Sequence, residues 1–365
     1  MKIILTGGGT AGHVSPAIAV AEEILASTPG AELLFIGREG GGENEAASKC
    51  GIKVETLKIQ GIRRKLTPDN VKSVYYALRA YQKAKKIIKS FRPDVILGTG
   101  GYVCWPVIRA GGRLGVPTAI HESNVTPGLT TRLLSNKCDV ILLNHTETKQ
   151  HLSARINSTV VGNPLRRGFY EVDRSSARKE LELSENDVFI LSFGGSIGAQ
   201  KLNDAVIGVM NDYSIRENDV MHVHAVGKRY FEEIKSDRLA QGYHRCKIVD
   251  YIDNMPTLLS AADIVIARAG AMTVSELAAA AVASILIPSP NVSDNHQFKN
   301  AAKLEKANAA IVIEEKNLTK EHLKSIVKKL KSDKNARKSK AKSISRFSSP
   351  NASRLIVKEL KKLII

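Results

Sequence analysis

The chain has 365 residues, 43% of them hydrophobic, and a formal net charge of +18. That length exceeds one ordinary core and predicts two domains. The charge is local: residues 61–92 carry +9 and residues 316–365 carry +13, which leaves the rest of the chain at −4. The four cysteines (Cys50, Cys104, Cys138, Cys246) form no C-x-x-C pair, which argues against a zinc or disulfide framework and for a reducing cytoplasm. The start of the chain lacks the apolar run of a signal peptide. The longest uncharged apolar stretch, Leu277–Ile287, is too short to span a bilayer. No RNA-binding aromatic signature, zinc finger or helix-turn-helix stands beside the cations, so no nucleic-acid partner is expected. Two readings of the charge stay open, a solvated helical surface and a surface for an anionic membrane or anionic lipid.

The first element is a strand, Lys2–Leu5, followed by "TGGGTAGH" and a helix expected from Pro16 to Leu25. Gly7, Gly9 and Gly12 match G-x-G-x-x-G in the strand–loop–helix context of a dinucleotide site. A P-loop would need Lys where His13 stands. Further strands are expected at Glu32–Ile36, Val54–Ile59, Val95–Leu97, Thr118–His121, Val140–Leu143 and Thr159–Val161. Near-continuous apolar strands between helices predict a parallel sheet covered on both faces. After "VGNPLRRG" the pattern restarts, with strands at Val188–Phe193, Val220–Ala225, Lys247–Val249, Ile264–Ala267, Ser284–Ile287 and Ala310–Ile313. Asn163–Arg167 reads as a linker, because Pro164 forces extended backbone before it. Domains are expected at 1–163 and 164–346. A tail, 347–365, should return to the first domain as an amphipathic helix with Leu355, Ile356, Leu360, Leu363 and Ile364 on its apolar side.

The second half also opens with strand, glycine loop and helix: Gly194-Gly195-Ser196 echoes Gly7–His13. Backbone amides and helix starts at such loops attract phosphate. A third loop, "RAGAMTVSELAAAA" (Arg268–Ala281), leads into a helix that carries Ser275 and Glu276 in or near its first turn. Two readings of it stay open. Thr273 and Glu276 form a capping box, or Glu276 accepts ribose hydroxyls while the loop amides meet phosphate. "HESN" (His121–Asn124) and the segment with Gln297 and Asn300 follow strands, at the edge where open α/β sheets bind ligands.

"GGTAGHVSPAIAVA", "GTGGYV", "HESN", "VGNPLR", "GGSIGA" and "RAGAMTVSELAAA" stand in this order, with Gln297 after them. Together they resemble the MurG family of peptidoglycan N-acetylglucosaminyltransferases, from Lys2 to about Ala310. The resemblance implies a GT-B fold, two doubly wound α/β domains facing a central cleft. It implies inverting transfer of N-acetylglucosamine from UDP-N-acetylglucosamine to a lipid-pyrophosphoryl-muramyl-pentapeptide, on the cytoplasmic face of the inner membrane. Carried over by motif, Thr10, Ala11, Gly12, Asn124, Arg166 and Ser196 contact the donor, Ile252 lies beside uracil, and Gln297 meets the sugar. Ala271, Met272, Thr273, Val274, Ser275 and Glu276 hold diphosphate and ribose. Gly9, Thr10, Gly100, Gly101 and Tyr102 serve the acceptor. Ala11, Ser123, Ile197, Ala269 and Met272 depart from the usual family motifs, and Ile197 removes a polar contact.

Inversion needs a base for the acceptor hydroxyl and stabilisation of the leaving UDP. His13 is the base candidate, with binding of acceptor pyrophosphate as its alternative role; Glu122 is the second candidate. Arg166 and the amides before Thr273 would stabilise the leaving group. No D-x-D motif occurs, so no obligatory metal or other cofactor is expected. The segment 61–92 interleaves Tyr75, Tyr76, Tyr81 and Phe91 with cations and reads as the membrane face. The rivals are a UDP-N-acetylglucosamine 2-epimerase and an NAD-dependent dehydrogenase using Glu39.

Overall fold

The computed structural model describes residues 1–61, 68–212, 219–238 and 245–364. The backbone divides into two compact units, Met1–Arg167 with Ser349–Ile365, and Gly168–Ser348.

In the first unit the strands are β1 (Lys2–Thr6), β2 (Glu32–Arg38), β3 (Lys53–Leu57), β4 (Val95–Gly98), β5 (Thr118–Glu122), β6 (Val140–Leu143) and β7 (Ser158–Val160). They form one sheet in the order β3-β2-β1-β4-β5-β6-β7, parallel throughout. Helices α1 (Ala11–Ser27), α2 (Gly42–Lys49), α3 (Pro68–Phe91), α4 (Cys104–Arg113) and α5 (Leu129–Leu134) connect them. Central strands such as β4 and β6 are buried along their whole length, so both faces must be apolar and no alternation survives. One face packs Ile3, Leu5, Phe35 and Leu97 against α1. The other packs Ile4, Ile36 and Ile96 against α3 and α4.

The second unit holds β8 (Val188–Phe193), β9 (Val220–Ala225), β10 (Cys246–Val249), β11 (Ile264–Ala267), β12 (Ala283–Leu286) and β13 (Ala310–Val312). Their order is β10-β9-β8-β11-β12-β13, again parallel. Its helices are α6 (Gly168–Glu171), α7 (Arg174–Glu180), α8 (Gln200–Met210), α9 (Lys228–Arg238), α10 (Met255–Ala261), α11 (Ala271–Ala280), α12 (His296–Lys306), α13 (Lys320–Ser332) and α14 (Lys334–Ser345). The last helix, α15 (Ala352–Lys362), belongs to the first unit.

Each expected strand is present, with ends shifted by two residues at most. Two expectations need correction. Helix α1 begins at Ala11 rather than Pro16 and carries Pro16 inside it, so Gly12 and His13 lie in its first turn. In α15 the buried side chains are Ala352, Ile356, Val357 and Leu360. Leu355 and Ile364 point to solvent, because the 3.6-residue period places Val357, not Leu355, on the core stripe.

Candidate functional site

In each sheet the strand order reverses once, between β1 and β4 and between β8 and β11. Doubly wound sheets bind ligands at that reversal, beyond the carboxyl ends of the strands. The four loops leaving these strands are the glycine motifs: 7–10, 99–103, 194–199 and 268–270.

In the first unit the two loops are knit together. The Gly8 N–H donates to Gly100 O (3.4 Å) and the Thr99 N–H to Thr6 O (2.8 Å). The Thr99 hydroxyl donates to His13 O at 2.6 Å. Gly100 and Gly101 have positive φ, 109° and 83°. A Cβ there would collide with the His13 ring or with the Gly8 carbonyl, so only glycine lets the loops close. Tyr102 lies over Gly9. Gly9, Thr10, Gly100, Gly101, Tyr102 and His13 are thus brought together. Thr99 and Glu43 were missed by motif reading. Glu43 is a buried carboxylate that accepts the Arg38 N–H at 3.1 Å and packs on Gly8. Thr99 stands inside "GTGGYV", which was its available signal.

Glu122, at the end of β5, is 5% exposed. Its Oε1 accepts the Asn124 N–H (3.0 Å) and side-chain amide (3.1 Å), and its Oε2 accepts the Gly128 N–H (2.9 Å) and the Thr131 hydroxyl (2.6 Å). Four donors saturate a carboxylate. In this arrangement Glu122 shapes the loop and aims Asn124. His121, buried beneath, donates from Nε2 to Gly162 O at 2.9 Å. Burial holds its pKa below the ordinary histidine value. Arg166 is part-buried, and its neighbour Arg167 pairs with Glu23, in the later half of α1, at 3.2 Å.

In the second unit the 194–198 turn closes through Gly198 N–H to Gly195 O (2.9 Å). A Cβ at Gly198 would collide with Val226 O and one at Gly227 with Gly198. Ser196 is exposed at the tip, and Ile197 beside it is 68% exposed. The Asn203 side-chain amide ties Val226 O from behind at 3.0 Å.

Helix α11 starts at Gly270, an extended N-cap without a side-chain cap and without an acidic residue in the first turn. Thr273 lies inside the helix, so the capping-box reading fails. Glu276 falls in the second turn. Met272, Val274 and Ile252 are buried, so their side chains expose little surface. The Ser275 hydroxyl donates back to Ala271 O at 3.1 Å. The side-chain placement of Ala11 lies outside the described residues; its backbone opens α1. Gln297 accepts the Ser289 N–H on Oε1 at 2.9 Å. Asn300 donates to Ala269 O at 3.1 Å, and Arg268 donates to Ile287 O at 3.1 Å and pairs with Glu315. Arg268 and Asn300 thus hold the 268–270 loop from behind, a task motif spacing did not reveal.

Helices α1, α8 and α11 all follow a glycine loop, lack a side-chain cap and have no acid in the first turn. Elsewhere α7, α13 and α14 are capped by Asp173, Thr319 and Asp333, while α5, α10 and α12 are uncapped too, so it is the glycine loop before the helix that sets α1, α8 and α11 apart from these. Uncapped starts leave backbone donors for an anion. Among the described residues no three His, Cys, Asp or Glu side chains gather as a metal site.

On α3, Val71, Val74, Tyr75 and Leu78 form an i, i+3, i+4, i+7 row, with Val71 73% and Leu78 57% exposed. Tyr75 was expected in such a surface. Tyr81 instead packs beside Trp105 and Phe91 beside Lys2, both against the core. The interleaved-aromatic reading is corrected accordingly: the exposed apolar row is mainly aliphatic. Residues 62–67 of the basic segment lie outside the described residues.

Two family models match, the glycosyltransferase family 28 N-terminal domain over residues 3–143 and its C-terminal domain over residues 189–356. A UDP-N-acetylglucosamine–N-acetylmuramyl-(pentapeptide) pyrophosphoryl-undecaprenol N-acetylglucosamine transferase of Thermoanaerobacter sp. (strain X514) is 40% identical over 334 residues, covering 90% of this chain and 91% of the relative. The crystal structure of Acinetobacter baumannii MurG superposes with TM-score 0.74 at 27% identity, covering 99% of both chains. A UDP-N-acetylglucosamine 2-epimerase superposes with TM-score 0.68 at 14% identity, covering 98% of this chain and 94% of that one; this likeness is one of fold alone. The chain is a two-domain glycosyltransferase of family 28, and it belongs to the MurG family of N-acetylglucosaminyltransferases.

Proposed function

We propose that this chain moves N-acetylglucosamine from UDP-N-acetylglucosamine to undecaprenyl-pyrophosphoryl-N-acetylmuramyl-pentapeptide, with inversion at the anomeric carbon. The observation that carries the reading is the pair of glycine-loop reversals in a chain of this family. The first unit takes the acceptor. Its knitted loops grip pyrophosphate with backbone amides at the start of α1, and His13 removes the proton from the attacking hydroxyl. Glu122 acts as a positioning residue through Asn124. The second unit takes the donor. The starts of α8 and α11 meet the diphosphate, Glu276 accepts the ribose hydroxyls, and the Gln297 amide meets the sugar. Charge developing on the leaving UDP is met by fixed amides in the second unit, with no obligatory metal.

The enzyme works at an anionic membrane. Support comes from α3, whose aliphatic row is flanked by exposed Lys72, Arg79, Lys83 and Lys86, the combination that seats a helix in a headgroup layer. Among the described residues no helix is long and apolar enough to cross a membrane. The deciding experiment is transfer of radiolabel from UDP-N-acetylglucosamine to the lipid-linked muramyl-pentapeptide by purified protein in EDTA. Labelled disaccharide lipid is the expected product. UDP binding without transfer would overturn the acceptor assignment, and loss of transfer only in EDTA would overturn the metal-free mechanism.

A further inference from the structure

Helix α14 and the residue that follows it carry a second charged surface, unlike α3 in kind. Lys334, Lys338, Lys342 and Arg346 are exposed and recur at i, i+4, i+8 and i+12, one ridge about 18 Å long at 1.5 Å per residue. No acidic residue stands between Lys334 and Arg346. Opposite the ridge, Ile344 is buried and Ala336 packs on the second unit's core. None of the four cations has an ion pair to a carboxylate among the described residues, whereas Lys324 and Lys331 on α13 pair with Asp212 and Asp219.

Like charges at i, i+4 weaken a helix, and the ridge repeats that pairing three times. Lys328 and Lys329 on α13 extend the same field. Next to Lys329, Lys340 has its pKa held down, first by burial and then by that neighbouring charge. The fold does not use this repulsion. An anionic surface would relieve it.

We propose that the α14 ridge is a second, purely electrostatic docking surface, on the donor-binding unit, for an anionic phospholipid bilayer. The choice of a bilayer rests on the membrane reading of α3. The ridge itself favours headgroups. It is built from lysines with a single arginine. No large apolar side chain from 320 to 346 is exposed, so there is no platform on which nucleic-acid bases could stack. A basic surface near anionic lipid gains with each cation and weakens within a Debye length as salt rises.

The test is flotation of the full chain with vesicles of 30% phosphatidylglycerol in phosphatidylcholine, and with phosphatidylcholine alone, at low and high salt. Three proteins are compared: wild type, the quadruple variant K334Q/K338Q/K342Q/R346Q, and the α3 variant V74S/L78S. UDP binding checks the second unit, and the thermal unfolding of the full chain checks that both units are folded in each. The quadruple variant is expected to bind anionic vesicles at least about tenfold more weakly, with a shallower salt dependence. Binding within twofold of wild type would overturn the proposal. So would a loss confined to a duplex DNA or polyuridylate probe with vesicle binding intact, which would make the ridge a nucleic-acid surface. If the quadruple variant loses affinity and the α3 variant does not, the ridge stands and the reading of α3 falls.

Discussion

The two strand-order reversals share one topology and differ in chemistry. In the first unit the loops bond to each other and enclose His13. In the second unit the loops are held from behind by Asn203, Asn300 and Arg268, and what they present is amides, a hydroxyl and Glu276. The same strand–glycine loop–helix unit therefore occurs twice, and in the proposed reaction it carries the reacting group once and grips an anion once. The fold supplies the address; the side chains around it supply the reaction.

The sharpest way to break this comparison is His13→Gln. Turnover should fall by about 10²–10⁴-fold, the range of a general base, while UDP binding to the second unit stays unchanged. Equal loss of UDP affinity would show that the two crevices do not divide the work.

Acid should separate the units next. His222 and His224 on β9 are buried, and the Ser192 hydroxyl bonds to both, at 2.8 and 2.9 Å. Burial pushes their pKa values down to about 3 and about 4. The unfolded chain takes up those protons near pH 6.5 and the folded unit does not. The stability due to the neutral rings is thus complete above pH 6.5 and declines as pH falls toward 4. Between pH 7 and pH 5 the second unit should lose about 2–4 kcal/mol. The first unit has one such buried histidine, His121, whose pKa is also lowered by burial, where the second has two. Amide exchange at both pH values should show β8 and β9 loosening before β4 and β5. The variant His222→Gln/His224→Gln should flatten the difference.

Glu276→Ala should raise the donor KM by about 10–100-fold, the worth of a charge-assisted contact, and leave acceptor KM within about twofold. A rise in acceptor KM instead would move Glu276 to the other side of the division. The smallest effect is expected from EDTA, which should change the rate less than twofold if amides and helix starts suffice for the diphosphate.

Much of this was legible in the sequence. Buried parallel strands write themselves as apolar runs, so β6, β8, β9 and β11 were placed to the residue. Glycine loops announce positive φ and close backbone approach. What stayed hidden was the second layer. Nothing in "HESN" says that Glu122 accepts four hydrogen bonds, and no spacing reveals that Asn300 reaches Ala269 thirty-one positions away. The same holds for Ile252, Met272 and Val274: a motif names a residue but not whether its side chain is buried. On α3 the aromatic letters drew the eye, while the exposed row proved to be Val71, Val74 and Leu78 around Tyr75.

The first unit is assembled from both ends of the chain. Ile356, Val357 and Leu360 complete its core, and a side chain at Gly162 would meet Ser349 where the two chain crossings touch. During synthesis the domain begun first is therefore finished last. Until the final turns of α15 leave the ribosome, an apolar groove along α1 stays uncovered, although the whole second unit has already emerged. Emergence of α15 thus comes after both crevices have been made, and a truncation that removes it would leave the core of the first unit unfinished.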